Sequence, residues 1–196
     1  MGAATPAAKP AATKHKVLVS RCLLGHRVRY DGGTQERLAV LAAWEAEGRI
    51  VPVCPEVEGG LPTPRPRAEI PGGRGAQVLD GTERVLTHEG ADVTGPYLEG
   101  ARICLELAAR HGIRVAVLKA RSPSCGNREA YDGTFTGTRV TGEGVAAAAL
   151  RRAGVRVFNE DELDAARAAL EALDHLDDAV RPPQPDSPTT ADDASR

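Results

Sequence analysis

Short runs of β-branched and aliphatic residues alternate along this chain with longer Ala- and Leu-rich stretches. Residues 16–20 (KVLVS) have the length and apolarity of a buried strand, and Gly25 follows soon after. Residues 35–48 are rich in Ala and Leu and end on glycine, which predicts a helix. Residues 50–53 (IVPV) predict a second strand, weakened by Pro52, whose nitrogen has no hydrogen to give a ladder. Four prolines and a glycine pair forbid regular structure across residues 58–71 and predict a long surface loop. Loops of that length are usually functional. A small hairpin is expected over residues 75–90, then a helix over 95–111 closed by Gly112. Residues 114–119 (RVAVLK) predict a third strand, 142–153 an Ala-rich helix stopped by Gly154, and 155–158 a fourth strand. The last element is an amphipathic helix over 161–173 with Leu163, Ala166 and Leu170 on one face.

Strands alternating with helices in this way predict an α/β fold, a parallel sheet of about four strands flanked by helices. The chain has 196 residues, 41% of them hydrophobic, enough for one core without disulfides. A single domain is expected over residues 15–176. Residues 1–14 and the acidic, Pro-rich residues 177–196 are expected to be disordered tails. The net charge of -2 gives no global attraction to nucleic acid or an anionic membrane, and six aromatics are too few for a base-stacking platform. A polynucleotide is therefore a poor candidate partner. No export signal opens the chain, and no stretch approaches the ~20 apolar residues of a membrane span, so a cytoplasmic setting with reduced cysteines is expected.

That expectation matters because three of the four cysteines come just past predicted strands: Cys22 after KVLVS, Cys54 after IVPV and Cys125 after RVAVLK. Ligands of open parallel sheets sit outside the carboxyl ends of the strands, where these loops converge. One buried cysteine is an ordinary small hydrophobe, but three at matching positions predict a common site. Cys104 lies inside the predicted helix 95–111 beside Ile103, Leu107 and Ala108 and is expected in the core. Three thiolates leave a tetrahedral metal or a cubane cluster with one open position, as a catalytic centre requires, and the spacing does not separate zinc from iron–sulfur. Glu56, Ser122, Ser124 and the turn at Asp31 crowd the same edge, with Glu56 placed to exchange protons. Arg21, Arg65, Arg67 and Lys119 are candidate compensating cations, while His26, His88 and His111 show no ligand spacing.

The segments VLVSRCLLGHRVRYDGG, VPVCPEVEGGLPTPR, LKARSPSCG and YDGTF, in this order, closely resemble the DUF523 family, which includes the thiouracil desulfidases. The resemblance covers roughly residues 16–160 and implies a Rossmann-like domain holding a [4Fe-4S] cluster on three cysteines. Cys22, Cys54 and Cys125 match the motif cysteines, and Cys104 falls in none of the motifs. The implied reaction is non-redox desulfuration of a thiolated pyrimidine (thiouracil, or its nucleoside or nucleotide), with release of sulfide. The open iron polarises the carbon–sulfur bond, Glu56 moves protons, and Ser124 orients substrate. Ser122, Asp31 and Arg65 are the expected substrate contacts, Arg65 or Arg67 meeting a phosphate if one is present. The resemblance implies a small residue in many relatives at the position of Arg21, so a change of access or local charge is expected there. Two other readings use the same residues: a metal-free sulfurtransferase with a persulfide on Cys125, and a non-catalytic metal or iron–sulfur binding protein.

Overall fold

The computed structural model describes residues 14–180. Its elements follow one another as β1 (Val17–Ser20), α1 (Ala39–Ala46), β2 (Ile50–Val53), α2 (Pro55–Glu58), β3 (Ala68–Glu69), α3 (Gly75–Leu79) and β4 (Leu86–Thr87). Next come α4 (Thr94–His111), β5 (Val115–Leu118), β6 (Glu129–Tyr131), β7 (Arg139–Thr141), α5 (Val145–Arg152), β8 (Arg156–Asn159) and α6 (Leu163–Val180). The predicted parallel sheet is present, with strands in the order β2, β1, β5, β8. Ser20 is level with Val53, Val19 with Val117, and Leu118 with Asn159, so all four strands end along one edge.

Alternation along each strand divides the core into two layers. Val17, Val19, Val115 and Val117 pack on Leu41 and Trp44 of α1 and on Ala166 and Leu170 of α6. Leu18, Val51, Val53, Ala116 and Leu118 face the other way, onto Tyr97, Ala101 and Cys104 of α4 and onto α5. Helices on both faces explain why β1 and β5 are apolar at nearly every position rather than alternately polar. Burying each Val or Leu contributes about 1.5–3 kcal/mol, so the central strands form the rigid part of the molecule. From β1 the chain steps to β2 on one flank, and it later returns to β5 on the other. The strand order therefore reverses beside β1, which opens a crevice at the strands' carboxyl ends.

One expectation needs correction, and two features lie outside what the sequence predicts. Residues 75–90 do not form a local hairpin: they begin as α3, and β4 pairs with β3 from the proline-rich segment, Ala68 opposite Thr87 and Glu69 opposite Leu86. Close packing selects the helix, since a Cβ on Gly75 would lie 2.4 Å from the carbonyl carbon of Gly144 at the start of α5. The antiparallel pair β6–β7 was not anticipated, because three residues per strand are too few for a readable period. Finally, α6 runs on to Val180, into the stretch expected to be tail. The rest of that expectation, and that for residues 1–13, lies outside the described residues. Among the described residues no helix is long and apolar enough to cross a membrane.

Candidate functional site

Loops leaving β1, β2 and β5 meet over the crevice around a cavity of about 430 Å³, whose lining includes Cys22, Cys54, Cys125, Glu56, Arg65 and Tyr97. Each of these cysteines is free and at most 8% exposed. Cys22 sits in the turn of 3-10 helix at Arg21–Leu24, which Gly25 ends in the left-handed region at φ 86°, its N–H returning to the Cys22 carbonyl. Cys54 directly precedes α2 and is followed by Pro55 at the first helical position, where a missing N–H costs nothing. That helix lies backbone to backbone on α4. A Cβ on Gly59 would come 2.0 Å from the Pro96 carbonyl oxygen, and one on Gly100 2.1 Å from that of Pro55. The paired glycines thus fix where Cys54 and Glu56 stand.

Cys125 is held by a different device. The Ser122 hydroxyl oxygen accepts the backbone N–H groups of Ser124 and Cys125 at 3.1 and 3.2 Å, folding the loop after β5 into a tight turn. Carbonyls of that turn then serve the start of α5: Pro123 accepts from Val145 and Ser124 from Ala146, both at 2.9 Å. The first N–H groups of a helix otherwise lack partners, so helix and loop stabilise each other. Gly144 permits the contact, since a Cβ there would lie 2.4 Å from the Ser124 carbonyl carbon.

A polar network ties the three loops together. Ser122 donates its hydroxyl hydrogen to Glu56 Oε1 at 3.1 Å. Arg65 binds Glu56 Oε2 through Nε and Nη2 at 2.7 and 2.6 Å, and the same guanidinium donates to the Val28 carbonyl. Lys119 pairs with Glu160, and Arg21 lies 3.6 Å from Glu58. Ser20, the last residue of β1, accepts the Lys119 N–H at 3.0 Å and donates to Cys125 Sγ at 3.5 Å. The phenol of Tyr97 is held well above its ordinary pKa, first by burial and then by the charge of Glu56, so it stays protonated.

Burial raises all three thiols. Cys22 is pushed up to about 12, with the charge of Cys54 adding to burial and Lys119 and Arg29 opposing it. In Cys54 burial is opposed by the N–H of Val57, and Cys125 is driven well above the thiol range by burial, against the Ser20 hydroxyl, with the charges of Cys22, Glu56 and Cys54 adding to the rise. Three sulfurs raised by burial, with Cys54 adding to Cys22 and both adding to Cys125, need a strong cationic partner to ionise together, and metal provides one. No group of three or more His, Cys, Asp or Glu side chains among the described residues converges as a single ion requires. A cubane takes each thiolate on a separate iron, and three buried cysteines on one cavity are a donor set of that chemistry.

A sequence model of the 2-thiouracil desulfurase family matches residues 17–162, a stretch holding every residue of this network. The chain belongs to that family. A relative described as uncharacterized protein YbbK, from Bacillus subtilis (strain 168), is 45% identical over 150 residues, covering 76% of this chain and 97% of that protein. The solved structure of TudS, a [4Fe-4S]-dependent thiouracil desulfidase, matches with a TM-score of 0.74 at 46% identity, covering 81% of this chain and 99% of TudS. The α/β fold read from the sequence is thus the fold of a desulfurase-family structure.

Within this desulfurase-family site the expected residues divide. Glu56, Arg65, Ser122 and the three cysteines line one cavity, together with Arg21, Arg67 and Lys119. Ser124 does not join them: its side chain is fully buried outside the lining and its hydroxyl has no partner, while its carbonyl serves α5. Asp31 also stands outside, accepting from Arg29 and from the Gly33 N–H to close a turn, with its carboxyl held below the usual range chiefly by Arg29. Arg65 is spent on Glu56 and Val28. Cys104 is buried in the core, as expected. Sequence reasoning passed over Ser20 and Tyr97. Ser20 left a trace, a polar residue ending an otherwise apolar buried strand, whereas Tyr97 is indistinguishable from any core residue of α4.

Proposed function

We propose that this protein is an iron–sulfur-dependent desulfidase that replaces the thiocarbonyl sulfur of a pyrimidine by oxygen from water, releasing sulfide. The observation that carries this reading is the meeting of Cys22, Cys54 and Cys125 on one cavity with a hydrogen-bonded Glu56–Ser122 pair. Family membership and 46% identity to a [4Fe-4S]-dependent thiouracil desulfidase support it. A [4Fe-4S] cluster held by the three cysteines would leave one iron without a protein ligand and so supply a Lewis acid for the substrate sulfur.

The protein's own groups carry the rest. Glu56 takes a proton from the attacking water and passes it to the departing sulfur or to the ring. Ser122, bonded to Glu56, orients that carboxylate. Tyr97 stays protonated, and its hydroxyl bonds to Glu56 as a second donor beside Ser122. The reaction balances as thiocarbonyl plus water to carbonyl plus hydrogen sulfide, with no electrons transferred.

The cavity has room for a sugar beside the base. Arg65 is committed to Glu56, Arg29 to Asp31, Lys119 to Glu160 and Arg21 to Glu58, which leaves Arg67 and Arg121 of the lining cations to meet a phosphate, so a nucleotide is the preferred form of substrate.

Anaerobic reconstitution followed by iron and acid-labile sulfide analysis, then a sulfide-release screen of 2- and 4-thiouracil with their nucleosides and nucleotides, tests the proposal. Iron-loaded protein that releases sulfide from at least one of them is the expected result. Metal-free protein with equal activity would remove the cluster from the reaction, and loaded protein inert on every compound would leave a binding protein.

A further inference from the structure

Ser20 ends β1 at the point where the strand order reverses, and it is 2% exposed. A hydroxyl has one proton to give and lone pairs to receive. The Lys119 N–H, at 3.0 Å, occupies the acceptor side, and the proton is directed at Cys125 Sγ, 3.5 Å away. Cys54 differs, since its sulfur lies 3.8 Å from the Val28 carbonyl and takes its hydrogen bonds from backbone N–H groups of α2, not from a hydroxyl. Among the site sulfurs, then, Cys125 receives a hydroxyl donor mounted on the sheet itself. Strand pairing fixes that donor from both sides, Ser20 opposite Val53 on β2 and Val19 opposite Val117 on β5.

We infer that Ser20 is a positioning residue whose hydrogen bond to the Cys125 sulfur makes that ligand a weaker electron donor and so raises the reduction potential of the bound cluster. The inference rests on the reading that Cys22, Cys54 and Cys125 hold an iron–sulfur cluster. Hydrogen bonds to cluster sulfurs help set the potential, because they stabilise the more negative, reduced state. In a reaction that transfers no electrons the gain is Lewis acidity, since a cluster poorer in electrons draws the substrate sulfur more strongly. Ser20 touches neither water nor substrate in this scheme and acts through Cys125.

The test compares reconstituted wild type, Ser20→Ala and Ser20→Thr by iron content and spectroelectrochemical titration. Ser20→Ala is expected to hold the same iron as wild type at a more negative potential and with a several-fold weaker affinity for the thiolated substrate. Ser20→Thr, which keeps the hydroxyl, is expected to restore both. An unshifted potential in fully loaded Ser20→Ala overturns the inference while leaving the cluster reading intact, whereas wild type that takes up no iron overturns both. If Ser20→Ala does not fold, resonance Raman of the wild-type cluster decides. Iron–thiolate bands that move in heavy water support the bond, and bands that do not move overturn it.

Discussion

Arg65 grips one oxygen of Glu56 with two nitrogens, Nε at 2.7 Å and Nη2 at 2.6 Å, and both side chains are nearly buried. Removing one member leaves the other as an unpaired buried charge, which costs about 3–5 kcal/mol. Arg65→Leu is therefore expected to lower the stability of the cluster-free chain by that amount in urea unfolding. Arg65→Lys should recover only part, since an ammonium cannot reproduce the fork that also serves the Val28 carbonyl. A stability of Arg65→Leu equal to wild type would show the pair to be inessential.

For Glu56→Gln the expectation is different, because the amide keeps the shape and one acceptor oxygen for Arg65 while losing the base and the charge of the pair. Iron content should match wild type and the rate of sulfide release should fall about a hundredfold or more. Unchanged turnover would remove Glu56 from the reaction.

Ligand assignment is tested by single cysteine replacements. Cys22→Ser, Cys54→Ser and Cys125→Ser should each lose the brown colour and most of the iron after reconstitution. Cys104→Ala should keep both and lose only about 1 kcal/mol, the common cost of a core truncation. Colour lost in Cys104→Ala alone, or kept in Cys125→Ser, contradicts the assignment.

Much of this was legible before any coordinates. The strands β1 and β5 announce themselves because they are buried on both faces, and an apolar run needs no partner to be recognised, while β2 and β8 at the sheet edges keep enough apolar positions to be read as well. The positions of Cys22, Cys54 and Cys125 after those strands then follow from the rule for open sheets. What stayed hidden is whatever depends on pairing between distant segments. Ser122 was expected to meet substrate, yet its hydroxyl also folds the turn that presents Cys125. The neighbouring Ser124 looks equivalent in the motif, and only the docking of α5 turns its side chain away from the cavity. Arg65 was chosen for its charge, but no pattern in a proline-rich loop reveals that Glu56 already holds it.

Two glycines of α4 make a controlled comparison. Gly100→Ala would place a Cβ 2.1 Å from the Pro55 carbonyl, so about 1–3 kcal/mol of stability should be lost as α2 is pushed away. Gly95 has nothing within 4 Å, and Gly95→Ala should be neutral or stabilising by up to ~1 kcal/mol. Thermal melts of the two variants should move in opposite directions, and the Gly100 variant should also lose sulfide release as Glu56 shifts.

Alkaline solution should weaken the cluster-free chain. Unfolded thiols titrate near 9.0, whereas Cys22 in the folded protein is raised to about 12 and Cys54 and Cys125 are raised as well. Between those values the unfolded state binds fewer protons than the folded one, so the stabilisation is complete below pH 9 and falls as pH climbs toward 12. Urea midpoints of reduced protein should decline across that interval, and a flat profile would show that the thiols are not held protonated. Metal uptake by the same thiols should release protons, detectable in weakly buffered solution.

Cys22, Cys54 and Cys125 belong to loops after three different strands, and the last of these loops is braced by the opening turn of α5. A nascent chain that has not yet emerged past that helix has sulfurs but no place to gather them. Whatever cellular machinery delivers iron and sulfide must therefore wait for synthesis to pass residue 147 and for the strands to assemble. A cluster held on these three sulfurs would thus enter a receptacle that folding has already assembled.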